Sequence, residues 1–112
     1  MCGITGFFKL NEMDVSSAES ILNPMNDSLL HRGPDASSIF SDLDSNLLMG
    51  HRRLSILDTS AGGLQPMHSH SGNLVIAFNG EIYNHNEIRS ELEQQDDAIS
   101  WNSSSDTETL LE

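Results

Sequence analysis

The 112 residues leave room for one small hydrophobic core, and with 37% apolar residues and few aromatics that core must come from Ile, Leu, Met, Val and four Phe. Five Lys and Arg against seventeen Asp and Glu give a formal net charge of -12, a field that repels phosphate backbones and anionic lipid surfaces, so nucleic acid and membrane are poor partners. A single cysteine excludes an internal disulfide and a multi-cysteine zinc site, while the lack of a ~20-residue apolar span or a leader pattern makes the cytoplasm the expected location.

Residues 2–10 read as an opening strand, apolar at Ile4, Phe7, Phe8 and Leu10, with Gly3 and Gly6 allowing close backbone approach. Over residues 16–30 the apolar positions Ala18, Ile21, Leu22, Met25 and Leu29 follow helical spacing, but Pro24 falls among them, so two short helical pieces are expected. His31-Arg32-Gly33-Pro34-Asp35 is a turn by composition, after which residues 37–41 and 46–52 pair as strands across the polar connection 42–45. Residues 58–72 carry Gly and Ser punctuation and read as a long loop. Residues 73–78 are β-rich and end at Asn79-Gly80, a dipeptide that favours positive φ and a sharp change of direction. Asn84 with Glu87 three residues on is an N-cap signature for an amphipathic helix reaching about Gln94. Residues 99–101 make a short strand candidate, and Ser105 with Glu108 forms a capping box that opens a last helix.

Chemistry concentrates at few positions. Cys2 is followed by the small Gly3, and removal of Met1 would leave a free α-amine beside a thiol. The amine titrates near ~7.7–8.0 and the thiol near ~8.5, so one residue can supply both nucleophile and base. The bland alternative is a buried, inert thiol. A thiolate attacking an amide carbonyl needs donors for the oxygen that turns negative, and the Asn79 side-chain amide with the Gly80 N–H fits that need; alone, the dipeptide would be an ordinary turn. Glu81 and Asp106 suit an ammonium group and Arg53 a carboxylate, although each taken singly would be a solvated charge. His68-Ser69-His70 lacks a third metal ligand and reads as solvated. Neither phosphate-cradling glycine pattern is present, so nucleotide binding is not encoded in these residues.

Six blocks in order, Met1-Cys2-Gly3-Ile4-Thr5-Gly6, His31-Arg32-Gly33-Pro34-Asp35, Gly50-His51-Arg52-Arg53-Leu54-Ser55-Ile56-Leu57-Asp58, Gln65-Pro66-Met67, Asn79-Gly80-Glu81-Ile82-Tyr83-Asn84-His85 and Ser105-Asp106-Thr107-Glu108, resemble the class II glutamine amidotransferase domain found at the N-terminus of asparagine synthetases. The resemblance implies an α+β fold of the N-terminal nucleophile hydrolase type, an αββα sandwich with two antiparallel sheets between helical layers. Residues 1–112 would be the N-terminal part of that domain, incomplete at the C-terminus. It further implies that Cys2 attacks the side-chain amide of glutamine to form a glutamyl thioester, with Asn79 and Gly80 holding the oxyanion. Arg53 would take the substrate α-carboxylate and Glu81 and Asp106 its α-ammonium, while Arg53, Leu54, Ser55, Ile56 and Leu57 line the pocket through backbone groups. The ammonia would pass to a synthetase domain or separate chain, where ATP and Mg activate aspartate; no cofactor is implied for these residues. Ser38, Pro24 and Ser104 depart from the family pattern and bear on local geometry. The same pocket residues also suit a catalytically silent truncated relative that binds glutamine or a partner protein, and an incomplete product with unpaired sheet edges is a third reading.

Overall fold

The computed structural model describes residues 2–9, 11, 14–55, 61–96 and 99–112. The chain runs through β1 (Gly3–Phe8), α1 (Val15–Asp27), β2 (Ala36–Asp42), β3 (Leu47–Arg53), a 3-10 turn (Ala61–Gly63), β4 (Met67–His68), β5 (Val75–Ile76), α2 (His85–Gln95) and α3 (Asp106–Leu111). The class is α+β, as expected, with antiparallel sheets.

The first sheet has the order β1-β3-β2. Its registers pair Phe7 with Leu48 and Ile39 with Gly50, and because side chains alternate across a pleat these residues share one face. On it lies α1, whose Ala18 and Leu22 bury completely against Leu48, with Phe7, Ile39 and Leu43 packed around them. Gly50 is what lets the helix approach. A Cβ there would come within 2.6 Å of the Thr5 hydroxyl and 3.0 Å of the Asn26 side chain. The end of α1 is then bolted to the strands: Asn26 Nδ2 donates to Ser37 Oγ at 2.9 Å, Arg52 Nε donates to the Asn26 carbonyl at 3.1 Å, and Arg52 pairs with Asp27.

Two expectations about this half need correction. α1 is one helix rather than two pieces, because Pro24 stands exposed in its last turn, where a missing N–H costs a single solvent-side hydrogen bond. It also starts earlier, at an unanticipated cap: Asp14 accepts the Ser17 N–H at 2.9 Å and the Ser17 hydroxyl at 2.8 Å, and these bonds, the backbone one first, hold its carboxyl below the usual range. The β2–β3 hairpin matches the reading closely, with Asn46 moved from the strand into the turn at φ 52°.

The second half departs further. The expected loop over 58–72 contains β4, which pairs with a β5 only two residues long. Ser69 closes that ribbon, its N–H donating to the Leu74 carbonyl at 3.0 Å and its hydroxyl accepting the Leu74 N–H at 3.1 Å. Phe40, on the sheet face away from α1, meets His68 edge-on at 5.4 Å between ring centroids, so β4 lies against that second face. Residues 99–101 are not a strand. Trp101 instead donates its indole N–H to Glu93 at 2.7 Å and takes the Arg89 guanidinium 4.2 Å over its ring, which docks the loop on α2 rather than on a sheet edge. α2 has Asn84 at its N-cap position, but the side chain makes no cap bond; the Asn84 carbonyl alone receives Glu87 and Ile88. No helix among the described residues is long and apolar enough to cross a membrane.

The capping box at α3 is only half realised. Ser105 Oγ accepts the Thr107 N–H at 3.2 Å, but the Glu108 carboxylate turns away from Ser105. It accepts Asn102 N–H at 2.7 Å, Ser103 N–H at 2.9 Å and the Ser103 hydroxyl at 2.6 Å, with Arg89 at 3.6 Å, and is only 3% exposed. One buried carboxylate thus gathers the loop that delivers α3. Glu108→Ala should therefore cost about 1–3 kcal/mol of stability, since it leaves three part-buried donors without their acceptor and removes the charge facing Arg89, which keeps its hydrogen bonds to Thr109, Ser103 and Ser105; a urea-melt midpoint unchanged from the parent would contradict this.

Candidate functional site

Because β1 and β3 are antiparallel with Gly3 opposite Arg52, the next residues outward, Cys2 on one strand and Arg53 and Leu54 on the other, emerge side by side at one end of the sheet. The Leu54 N–H donates to the Cys2 sulfur at 3.4 Å, and that sulfur lies 3.7 Å from the Leu54 carbonyl oxygen. Cys2 is half-buried, and Arg32 Nε donates to its carbonyl at 3.2 Å. The sequence 31–35, read above as a turn and as one of the six blocks, braces this strand end. A Cβ on Gly33 would strike the Arg52 carbonyl group, so only glycine permits the approach. Asp35 N–H donates to the Arg53 carbonyl at 3.0 Å and Asp35 Oδ2 accepts the Ser55 N–H at 2.7 Å.

The facing wall comes from the segment after β5. Asn79 and Gly80 do not use positive φ, a correction to the expected turn geometry. Gly80 instead lies against the tip of the Phe78 ring, which a Cβ at this position would push aside. Phe78 N–H donates to Gln65 Oε1 at 2.6 Å, and Gln65 Nε2 donates to Thr107 Oγ1 at 3.0 Å. The third wall is the start of α3, where the Asp106 carboxylate accepts the Ile82 N–H at 2.8 Å. Gly63 lies against the Arg53 guanidinium, which a Cβ there would displace.

These walls enclose a cavity of about 310 Å³ lined by Cys2, Arg53, Leu54, Gly63, Gln65, Phe78, Asn79, Gly80, Glu81, Tyr83, Ser105, Asp106 and Thr107. Of the residues expected at the site, Cys2, Arg53, Leu54, Asn79, Gly80, Glu81 and Asp106 all meet there. Ser55 does not line the cavity, its N–H being taken by Asp35; Ile56 and Leu57 lie outside the described residues. Gln65, Phe78, Tyr83 and Thr107 had no assigned role, and Ser105 only that of a helix cap. Gln65 stood in one of the six blocks and Ser105 and Thr107 in another, but nothing in their spacing showed which way they would face. Arg53 and Asp106 are 8% and 7% exposed, whereas Glu81 is exposed. A buried guanidinium and a buried carboxylate in one cavity complement a zwitterion, which carries both charges on one carbon.

His51 sits behind this cavity, 1% exposed, its Nε2 without a hydrogen-bond partner. Burial holds the imidazole below its ordinary pKa, the Arg53 charge pushes the same way, and an interaction with the Phe78 backbone opposes both. Below about pH 6.5 the unfolded chain therefore binds more protons than the folded one. The stability contributed by neutral His51 is complete above that pH and is lost as the pH falls toward the depressed folded value. Thermal melts should show a lower Tm at about pH 5.5 than at about pH 7.5, with a smaller gap in His51→Gln; an equal gap would assign the acid sensitivity elsewhere. His68 and His70 are exposed, and among the described residues no three potential metal ligands cluster.

A family model described as a glutamine amidotransferase domain matches residues 1–112. The chain is 41% identical to asparagine synthetase [glutamine-hydrolyzing] 1 of Bacillus subtilis (strain 168), over 99% of this chain and 17% of that protein. It is 37% identical to asparagine synthetase B [glutamine-hydrolyzing] of Escherichia coli (strain K12), over 99% of this chain and 19% of that protein. The chain is also 32% identical to the putative asparagine synthetase [glutamine-hydrolyzing] 2 of Methanocaldococcus jannaschii, over 99% of this chain and 23% of that protein. It thus spans less than a quarter of the length of these relatives.

Proposed function

We propose, since the chain belongs to the glutamine amidotransferase domain family, that its cavity hydrolyses glutamine to glutamate and ammonia through a thioester on Cys2. The observation that carries this reading is the convergence of the Cys2 thiol, the Asn79-Gly80 donors, Arg53, Glu81 and Asp106 on one space of about 310 Å³. With Met1 removed, the Cys2 α-amine takes the thiol proton and the sulfur attacks the side-chain carbonyl carbon of glutamine. The carbonyl electron pair moves to oxygen, where the Asn79 side-chain amide and the Gly80 N–H receive it. On collapse the C–N bond breaks, the ammonium returns its proton to the departing nitrogen, and ammonia leaves behind a γ-glutamyl thioester. Water, deprotonated by the same amine, then attacks the thioester and releases glutamate with the thiol restored.

Arg53 holds the substrate α-carboxylate and Asp106, with Glu81 at the rim, the α-ammonium. The Leu54 N–H, 3.4 Å from the sulfur, holds the thiol at the mouth of this space. With Met1 still attached the Cys2 nitrogen is an amide and cannot act as base. The relatives' names support asparagine synthesis as the use of the ammonia, in a synthetase domain beyond these residues where ATP would be consumed. The αββα arrangement draws support from α1 on one sheet face and β4 on the other. Ile4 and Phe8, exposed at 43% and 65% beside the second face, are surfaces a fuller second sheet would cover.

The test is to incubate the chain with glutamine and hydroxylamine. A thioester yields γ-glutamyl hydroxamate alongside glutamate, and intact mass shows the initiator methionine gone. Glutamine binding without either product would reassign the cavity to a binding module.

A further inference from the structure

Gln65 is only 7% exposed, and both ends of its side-chain amide are used. The Phe78 N–H is a donor, so the group it meets must be the amide oxygen, and the nitrogen is thereby turned toward Thr107 Oγ1. The amide cannot be reversed without stranding the Phe78 N–H. Phe78 adjoins Asn79-Gly80, which faces the reacting carbonyl, and Thr107 adjoins Asp106, which faces the ammonium. One buried amide therefore spans the two ends of the substrate.

We infer that Gln65, acting through Thr107, is a positioning residue that sets the distance between the carbonyl-recognising turn and the Asp106 carboxylate, and with it the pocket's preference for an amino-acid amide of glutamine's length. The inference rests on the functional reading above. A second tie runs in parallel, from the Ile82 N–H to Asp106 Oδ2, so removing the Gln65 contact loosens the spacing without releasing α3. Shortening the substrate by one methylene leaves its ammonium out of reach while the strut holds, and removing the α-amine leaves Asp106 with nothing to bind.

The experiment uses the full chain in a Cys2→Ala background, so that no chemistry intervenes, and titrates three ligands calorimetrically: glutamine, asparagine, and glutaramate, which is glutamine without its α-amine. The parent should prefer glutamine to both. Thr107→Val, which keeps shape but deletes the hydroxyl, should cut both preferences about tenfold, the loss of about one well-made hydrogen bond. Thr107→Ser, which keeps the hydroxyl, should restore them, and Gln65→Leu should behave like Thr107→Val. A general packing defect weakens all three ligands together and does not move these ratios. If Gln65→Leu does not fold, the Thr107 pair decides. Unchanged ratios in Thr107→Val, or equal losses in Thr107→Ser and Thr107→Val, overturn the strut while leaving the functional reading intact. A parent that binds no glutamine overturns the substrate reading and the inference together.

Discussion

Cys2→Ala should lower glutamate release by about a thousandfold or more, because removing a nucleophile removes the covalent route rather than weakening it. The loss should be confined to chemistry. Among the described residues the sulfur meets the Leu54 backbone, at 3.4 Å from its N–H and 3.7 Å to its carbonyl, and weak contacts of this kind at a half-buried position contribute little to folding. Urea melts of the variant and parent should therefore coincide, and glutamine should still bind. Cys2→Ser should fall between the two in rate, keeping a small nucleophile that gives up its proton far less readily. Residual glutamate release near the parent level in Cys2→Ala would remove the sulfur from the mechanism.

Asp106→Asn should carry the second largest effect. Asparagine has the same shape, and its side-chain oxygen can go on accepting the Ile82 N–H that the structure shows at 2.8 Å, so the start of α3 stays in place. What disappears is a negative charge at a position 7% exposed. Losing one partner of such a desolvated charge pair costs about 2–4 kcal/mol, or about 30- to 1,000-fold in kcat/KM for glutamine. Glu81→Gln should cost far less, because Glu81 is exposed and water screens its charge. The comparison assigns the ammonium to one carboxylate over the other: equal losses in the two variants would show that both bind it, and a larger loss in Glu81→Gln would reverse the assignment.

Much of the architecture could be read along the chain. The apolar residues between turn signals in 2–10 and 46–52 predict strands that the register then pairs, and the apolar spacing of Ala18 and Leu22 predicts the helix face that buries against Leu48. The readings that failed share one cause. Pro24 argues locally against a continuous helix and residues 99–101 look locally like a strand, yet each was decided by what lay nearby in space: solvent beside Pro24, and Arg89 with Glu93 beneath Trp101.

The candidate site divides the same way. Its chemically distinctive members, Cys2, Arg53, Asn79, Gly80, Glu81 and Asp106, were legible from residue type and from the family blocks, because nucleophile, cation, amide and carboxylate announce themselves by their functional groups. Gln65, Thr107 and Gly33 were not, since an amide, a hydroxyl and a missing side chain acquire a role only from the partner they meet. Those partners stand 19 to 42 residues away in the chain, at Arg52 for Gly33 and at Thr107 for Gln65. The sequence by itself determined which chemistry is on offer and the periodicity of the elements that carry it. Only the tertiary structure decided which groups share a cavity and what braces them, because hydrogen bonds and steric exclusions between distant residues depend on register and packing, which no local pattern encodes.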